Sequence, residues 1–216
     1  MSKLAIFDLD GTILDTLEDI SRSANYALKN LGFPTYEQEE YKQFIGNGLH
    51  SLCKTSLKEN ATPENCSKMF ELYTDYYNHH KIDNIKLFDG LFELLKDLKS
   101  QGLLLAVATN KSDSLAKSIV ERIAGAGFFN YVCGSKNETY KPDPGVIIEI
   151  LGALNIPKEN AIMIGDSDID IMTAENAKIQ SVFCEWGYGD KNSLPRAEHY
   201  VKNTEELKKV LEEFIK

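Results

Sequence analysis

The sequence predicts an α/β fold, in which helices cover both faces of a parallel sheet and an all-helical segment is inserted after the first strand. Two observations support this prediction. From about residue 87 onward, short apolar runs alternate with amphipathic helical patterns, which is typical of parallel strands joined by helices. Between residues 16 and 86 the apolar spacing is helical and no strand pattern is readable, so we expect helices in this stretch.

The first strand and the inserted helices come first along the chain. An apolar run that ends at Phe7 predicts the first strand. Helical patterns follow over residues 17–31, 36–44, 49–57 and 63–80. The last of these begins with Thr62 as its cap and Pro63 in its first turn, which is a common way for a helix to start. We therefore predict a core of residues 1–15 and 87–216 and a helical cap domain of residues 16–86.

The rest of the chain supplies the other strands and helices of the core. The predicted strands are 103–108, 131–133, 161–164 and 181–184. The predicted helices are 91–100, 112–124, 144–154, 169–176 and 205–215. This alternation predicts a Rossmann-like core, in which the carboxyl ends of the strands lie along one edge of the sheet.

Composition limits the classes of function. The 216 residues, 43% of them hydrophobic, can bury a sizeable core. The net charge of −9 and the presence of only three arginines argue against binding to a nucleic-acid backbone. No apolar run approaches the roughly 20 residues that span a bilayer, and no signal-peptide pattern opens the chain. We therefore expect a soluble cytoplasmic protein without membrane partners, and a monomer and a homodimer both remain open.

Polar residues follow four of the predicted apolar runs. Asp8 and Asp10 follow the first strand, and Thr109 and Asn110 follow the second. The last two groups are Lys141, which precedes Pro142, and the acidic pair Asp166 and Asp170. Because strand ends converge at one edge of a parallel sheet, these groups are expected to share one crevice. Carboxylates, a hydroxyl and a lysine together are typical of a site for phosphoryl transfer.

These four motifs, in this order, resemble those of the haloacid dehalogenase superfamily of phosphatases, and the resemblance covers nearly the whole chain. The segments 44–48 and 186–189 are similar to those of its phosphoglycolate phosphatase-like branch. The resemblance implies a Mg²⁺-dependent phosphatase that hydrolyses a small phosphorylated metabolite, with 2-phosphoglycolate as the first candidate, through an aspartyl phosphate. A pyrophosphatase, a nucleotidase, a hexose-phosphate mutase and a non-catalytic binding module remain as alternatives.

The resemblance also implies a role for each polar group. Asp8 is expected to be the nucleophile, and Asp10 is expected to protonate the leaving oxygen and later to deprotonate water. The groups expected to bind phosphoryl oxygens are Lys141, Thr109, Asn110 and the N–H of Leu9. The oxygens expected to hold Mg²⁺ are those of Asp8 and Asp166, the backbone carbonyl of Asp10, and Asp170 either directly or through water.

The inserted segment contains the most ambiguous motif. Gly46, Asn47 and Gly48 fit either a plain turn between helices or, as the resemblance implies, a substrate-recognition loop that closes over the site. Three basic side chains of this segment are candidate partners for a substrate carboxylate: Lys42, Arg22 and His50.

Other conspicuous residues are predicted to serve the fold. Thr12 and Asp15 are expected to brace the turn after the first strand. Asp168 is expected to be solvated or to cap a helix. Helical spacing predicts packing inside a helical bundle for Met69, Tyr73, Tyr76 and Tyr77.

Overall fold

A computed structural model describes residues 2–136, 139–190 and 196–216. Its strands are β1 (Leu4–Phe7), β2 (Leu14–Asp15), β3 (Lys86–Leu87), β4 (Leu104–Ser112), β5 (Tyr131–Ser135), β6 (Ala161–Gly165), β7 (Gln180–Cys184) and β8 (His199–Val201). Six of them form one sheet in the order β5-β4-β1-β6-β7-β8, and every neighbouring pair is parallel. The central position of β1 brings the residues that follow it to the middle of the carboxyl edge.

Eight α-helices are present in the described ranges. They are α1 (Leu17–Asn30), α2 (Gly48–Leu57), α3 (Pro63–His80), α4 (Leu91–Ser100), α5 (Asp113–Ala124), α6 (Gly145–Leu154), α7 (Asp168–Ala177) and α8 (Thr204–Ile215). Side chains cap the starts of α3 and α8: Thr62 Oγ1 accepts a hydrogen bond from the N–H of Asn65, and Asn203 Oδ1 accepts one from the N–H of Glu206. Each such cap contributes about 1 kcal/mol to helix stability.

Both faces of the sheet are covered, as the sequence predicts. Successive side chains of a strand point to opposite faces, and all four residues of β1 are fully buried. Ala5 and Phe7 belong to a large apolar cluster that continues into the inserted helices. Leu4 and Ile6 belong to a second cluster, which includes Ile147 of α6. The predicted Rossmann-like α/β class is therefore confirmed.

The helical insertion, residues 16–85, lies between β2 and β3. These two strands pair antiparallel, with Leu14 opposite Leu87 and Asp15 opposite Lys86, so the chain leaves and re-enters the core at one place. Within the insertion, α1 packs mainly against α3. The division of the chain into a core and a cap domain stays a prediction.

Aromatic packing inside the insertion agrees with most of the prediction made for α3. Met69, Tyr73 and Tyr77 are buried, as expected. Tyr76 is the exception, because it is only half-buried and stacks between the exposed ring of Tyr26 and the ring of His80.

The structure corrects several predicted elements. The helix predicted over 36–44 is a short 3₁₀-helix, Gln38–Gln43. Strands β2, β3 and β8 were not predicted, because two or three residues are too short to show the alternation that marks a strand, and β3 begins at a residue of the segment expected to be helical. Strand β4 continues to Ser112, past the polar residues expected to end it.

No helix in the described part of the chain is long and apolar enough to cross a membrane.

Candidate active site

The carboxyl edge of the sheet brings the predicted polar groups together around Asp8. Asp8 directly follows β1, and its N–H donates to the carbonyl of Ile164 on the neighbouring β6. Lys141, from the loop between β5 and α6, places its Nζ 2.7 Å from Asp8 Oδ1 and 2.6 Å from Asp170 Oδ1. The same Nζ donates to the carbonyl of Ala108 at 3.0 Å. Lys141 therefore links Asp8 after β1, the middle of β4 and the first turn of α7 in one buried contact.

Three buried carboxylates form a candidate metal centre. Asp8, Asp166 and Asp170 each offer an oxygen, and these oxygens lie within 4.8 Å of one another. Burial and the charge of Asp170 raise the pKa of Asp8 well above its usual range, although Lys141 opposes the shift. The same two causes raise the pKa of Asp166 to about 7. One lysine cannot balance three buried carboxylates, and oxygen donors of this kind fit a hard divalent cation.

The charge of Lys141 is maintained by its neighbours. Burial by itself would lower the pKa of this lysine, but Asp170 and Asp8 outweigh burial and raise the pKa above its usual value. Lys141 therefore stays protonated at neutral pH.

Asp166 is held in place by groups from distant parts of the chain. Thr12 Oγ1 donates to Asp166 Oδ1 and the N–H of Tyr188 donates to Asp166 Oδ2, each at 2.7 Å. Gly11, at φ +88°, passes so close that a Cβ there would lie 2.4 Å from Asp166 Oδ2. The hydroxyl of Thr12 therefore links the turn after β1 to Asp166, and its expected role in bracing that turn stays a prediction.

Asp170 has hydrogen bonds on both of its carboxylate oxygens. One oxygen accepts from Lys141, and the other accepts from the N–H and the hydroxyl of Ser167 at 3.1 and 2.6 Å. The bond from the Ser167 N–H, together with the one that the Ser167 hydroxyl accepts from the N–H of Asp170, forms a capping box at the start of α7. Asp168, in the same turn, is exposed, as the sequence predicted.

Asn110 joins the core to the inserted segment. Its Nδ2 donates to the carbonyls of Gly46 at 2.8 Å and Lys141 at 3.1 Å, and its Oδ1 accepts from the N–H of Lys141 at 2.6 Å. These contacts use both amide hydrogens, so the side chain positions Lys141 and the loop at Gly46. Thr109 is buried beside it, and contacts of either residue with phosphate stay predictions.

The loop that contains Gly46, Asn47 and Gly48 faces the site. Its three residues line the cavities that open from Asp8. Gly48 has φ +80°, and a Cβ there would lie 3.1 Å from the ring of Tyr140, so this position favours glycine. Both predicted roles of the loop, as a turn and as a recognition element, are compatible with this placement.

Lys111 is a site residue that the sequence analysis missed. Its Nζ lies 3.2 Å from Asp10 Oδ2 and donates to the hydroxyl of Tyr77 at 3.1 Å. Asp10 Oδ1 accepts from the hydroxyl of Thr16 at 2.7 Å. The available signal was the polar run Thr109-Asn110-Lys111, of which the prediction used only the first two residues.

Two cavities open from Asp8 and Asp10. A cavity of about 510 Å³ extends beneath the inserted helices and has an aromatic wall that includes Phe70, Tyr73 and Tyr77. A cavity of about 860 Å³ lies on the side of Asp166 and Trp186. The site is therefore accessible from two directions.

The three candidate partners for a substrate carboxylate occupy different places. His50 stacks on Phe70 and lines the smaller cavity, and Lys42 lines the larger one. Arg22 lines neither cavity and pairs with Glu18 at 3.4 Å on the exposed side of α1. The structure therefore does not support Arg22 as a substrate contact, because the exposed face of an amphipathic helix points away from the site.

A model of the haloacid dehalogenase-like hydrolase family matches residues 5–184. The chain belongs to this family. It is 31% identical over 198 residues to the phosphoglycolate phosphatase of Aquifex aeolicus, with 88% of each chain covered. It is 30% identical over 205 residues to that of Vibrio cholerae, with 91% of this chain and 90% of the relative covered.

Solved structures agree with this membership of the haloacid dehalogenase-like hydrolases. A protein from Lactobacillus delbrueckii subsp. bulgaricus superimposes with a TM-score of 0.92 at 30% identity, with 98% of this chain and 99% of that chain covered. A haloacid dehalogenase-like hydrolase from Streptococcus pneumoniae gives 0.86 at 27% identity, with 95% and 96% covered. The predicted family, its phosphoglycolate phosphatase-like branch and the assignment of the chain to the phosphatases are confirmed.

Proposed function

We propose that this phosphatase hydrolyses 2-phosphoglycolate, with Mg²⁺ as cofactor and a phosphorylated Asp8 as intermediate. The observation that carries the proposal is the placement of Asp8, which contacts Lys141 within a buried acidic cluster at the mouth of a cavity. The names of the two bacterial relatives support the choice of substrate.

In the proposed first step, a carboxylate oxygen of Asp8 attacks phosphorus, and the bond between phosphorus and the ester oxygen breaks. Lys141, 2.7 Å from Asp8 Oδ1, holds the nucleophile in place and offsets the charge of the phosphoryl group as the two approach. Thr109 and the N–H of Leu9 donate hydrogen bonds to the phosphoryl oxygens. Asp10 donates a proton to the leaving oxygen, so that glycolate departs as an alcohol.

In the second step, Asp10 takes a proton from a water molecule, which attacks phosphorus and displaces the carboxylate of Asp8. Inorganic phosphate leaves and the free carboxylate is restored. The hydroxyl of Thr16 and the ammonium of Lys111 hold Asp10 at 2.7 and 3.2 Å, so the same carboxyl group is in place for both proton transfers.

Asp8, Asp166 and the backbone carbonyl of Asp10 would hold Mg²⁺, which supplies the positive charge that lets two anions approach each other. Asp170 belongs to the same buried cluster and would hold the ion directly or through water.

The proposal extends to partners and location. We assign the enzyme to the cytoplasm, and we propose that its partner is a small phosphorylated metabolite. The acidic net charge of −9 supports the exclusion of nucleic acid.

The size of the smaller cavity favours a second candidate substrate. Its volume of about 510 Å³ and its aromatic wall suit the stacking of a base. A nucleoside monophosphate is therefore the alternative, and it requires the same chemistry at Asp8.

The proposal is tested by measuring phosphate release from 2-phosphoglycolate, pyrophosphate, nucleoside monophosphates and sugar phosphates, with Mg²⁺ or with EDTA. We expect Mg²⁺-dependent turnover with the highest kcat/KM for 2-phosphoglycolate. A higher kcat/KM for a nucleoside monophosphate would replace the substrate assignment.

The mechanism is tested with Asp8→Asn, since an amide cannot form the acyl phosphate. We expect this change to lower kcat by at least ~10³-fold. Asp168→Asn, in an exposed acid of the same edge, serves as the matched control and should retain activity. Full activity of Asp8→Asn would show that Asp8 is not the nucleophile.

A further inference from the structure

Lys111 is a buried cation at the boundary between the core and the inserted helices. Its side chain is only 7% exposed, it comes from the carboxyl end of β4, and it contacts Tyr77 of α3. An ammonium group has three N–H donors, and two contacts are made by Nζ in the described part of the chain, with Asp10 and with the Tyr77 hydroxyl. Lys111 also lines the smaller cavity, so one donor remains for a molecule bound there.

The position of Lys111 next to Asp10 corresponds to the spacing of the carboxylate and the ester oxygen in 2-phosphoglycolate. In this compound a single CH₂ group separates the ester oxygen from the carboxylate. Asp10 is the group proposed to protonate the ester oxygen, and the ammonium of Lys111 lies 3.2 Å beyond a carboxylate oxygen of Asp10. A carboxylate adjacent to the leaving oxygen would therefore meet Lys111 once the phosphoryl group is placed at Asp8.

The charges around the smaller cavity make such a cation necessary. Asp8 and Asp10 both line it, and they would repel a substrate carboxylate. No arginine lines either cavity within the described ranges. His50 and Lys81 are the other basic residues of the smaller cavity, but the ion pair with Asp10 belongs to Lys111.

We infer that Lys111 binds the carboxylate of the substrate and makes the enzyme selective for phosphate monoesters with a carboxylate one carbon from the ester oxygen. This inference rests on the proposed function. Tyr77 has a positioning role here, because its hydroxyl accepts from Lys111 and the Lys111 Nζ lies 4.9 Å from the centre of the Tyr77 ring.

The test compares two substrates that differ only at the recognised group. The substrates are 2-phosphoglycolate and 2-hydroxyethyl phosphate, in which a CH₂OH group replaces the carboxylate. kcat/KM is measured with Mg²⁺ for the wild type, for Lys111→Met and for Lys117→Met. Lys117 is the matched control, because it lies on the exposed side of α5 and pairs with Asp113. Thermal unfolding of each variant shows whether it is folded.

We expect Lys111→Met to lower kcat/KM for 2-phosphoglycolate by about 10- to 100-fold more than for 2-hydroxyethyl phosphate, the range for a lost hydrogen bond to a charged group. Lys117→Met should leave both values unchanged. An equal loss on both substrates would overturn the inference, because Lys111 would then act only through Asp10. An unchanged value for 2-phosphoglycolate would also overturn it.

The wild-type enzyme separates this inference from the proposed function. If the wild type hydrolyses 2-hydroxyethyl phosphate as well as 2-phosphoglycolate, the substrate proposal itself fails, and carboxylate recognition by Lys111 fails with it. If the wild type prefers 2-phosphoglycolate and Lys111→Met keeps that preference, only the inference about Lys111 is refuted.

Discussion

Tyr188→Phe should destabilise the protein by removing a hydroxyl that joins the segment after β7 to the start of α1. This oxygen accepts hydrogen bonds from the N–H groups of Thr16 at 2.7 Å and Leu17 at 3.0 Å, and it donates to Asp15 Oδ1 at 2.8 Å. The Thr16 side chain does not cap α1, so Tyr188 supplies the acceptor that a helix N-terminus lacks.

The magnitude follows from the three hydrogen bonds that the substitution removes. Each contributes about 0.5–1.5 kcal/mol, and the site is half-buried, so water replaces part of the loss. We expect the free energy of unfolding to fall by about 2 kcal/mol, which lowers Tm by about 4–8 °C for a chain of this length. The backbone N–H of Tyr188 still binds Asp166 in this variant, so the acidic cluster keeps that contact.

The assay is urea unfolding followed by circular dichroism, with thermal unfolding as a second measurement. Tyr26→Phe is the matched control, because Tyr26 is 40% exposed and its stacked ring is retained, and it should change stability by less than about 0.5 kcal/mol. A loss for Tyr188→Phe no larger than that of the control would refute the role given to this hydroxyl.

Two further predictions concern the acidic cluster. Gly11→Ala should abolish most phosphatase activity and lower Tm, because its Cβ would lie 2.4 Å from Asp166 Oδ2. Gly102→Ala, with a similar φ of +93° and open space around the new Cβ, should show only the backbone strain of about 1 kcal/mol. Equal effects of the two changes would contradict the steric explanation. Without metal, the contribution of Asp166 to stability should decline as pH rises from 3.8 to about 7, because the folded state retains a proton that the unfolded state has lost. Tm measured in EDTA across this window should therefore fall more steeply for the wild type than for Asp166→Asn, and identical slopes would count against the raised pKa.

Much of the fold and the location of the site were predictable from local patterns. The apolar run before Asp8 and the run before Asp166 are short, buried strands, and parallel strands necessarily end along one edge. This rule was enough to predict that Asp8, Lys141 and Asp170 meet. The 3₁₀-helix at Gln38–Gln43 was mistaken for an α-helix, because sequence spacing over so few residues does not separate the two forms.

By itself, the sequence determined the α/β class and the polar groups at the strand ends, since both depend on residues close together in the chain. Only the tertiary structure decided that Lys111 faces Asp10 and Tyr77, that Asn110 holds Gly46, and that Tyr188 caps α1. The physical reason is that each contact joins side chains from separate elements, so its existence depends on how the inserted helices pack against the sheet. Local periodicity carries no information about that packing.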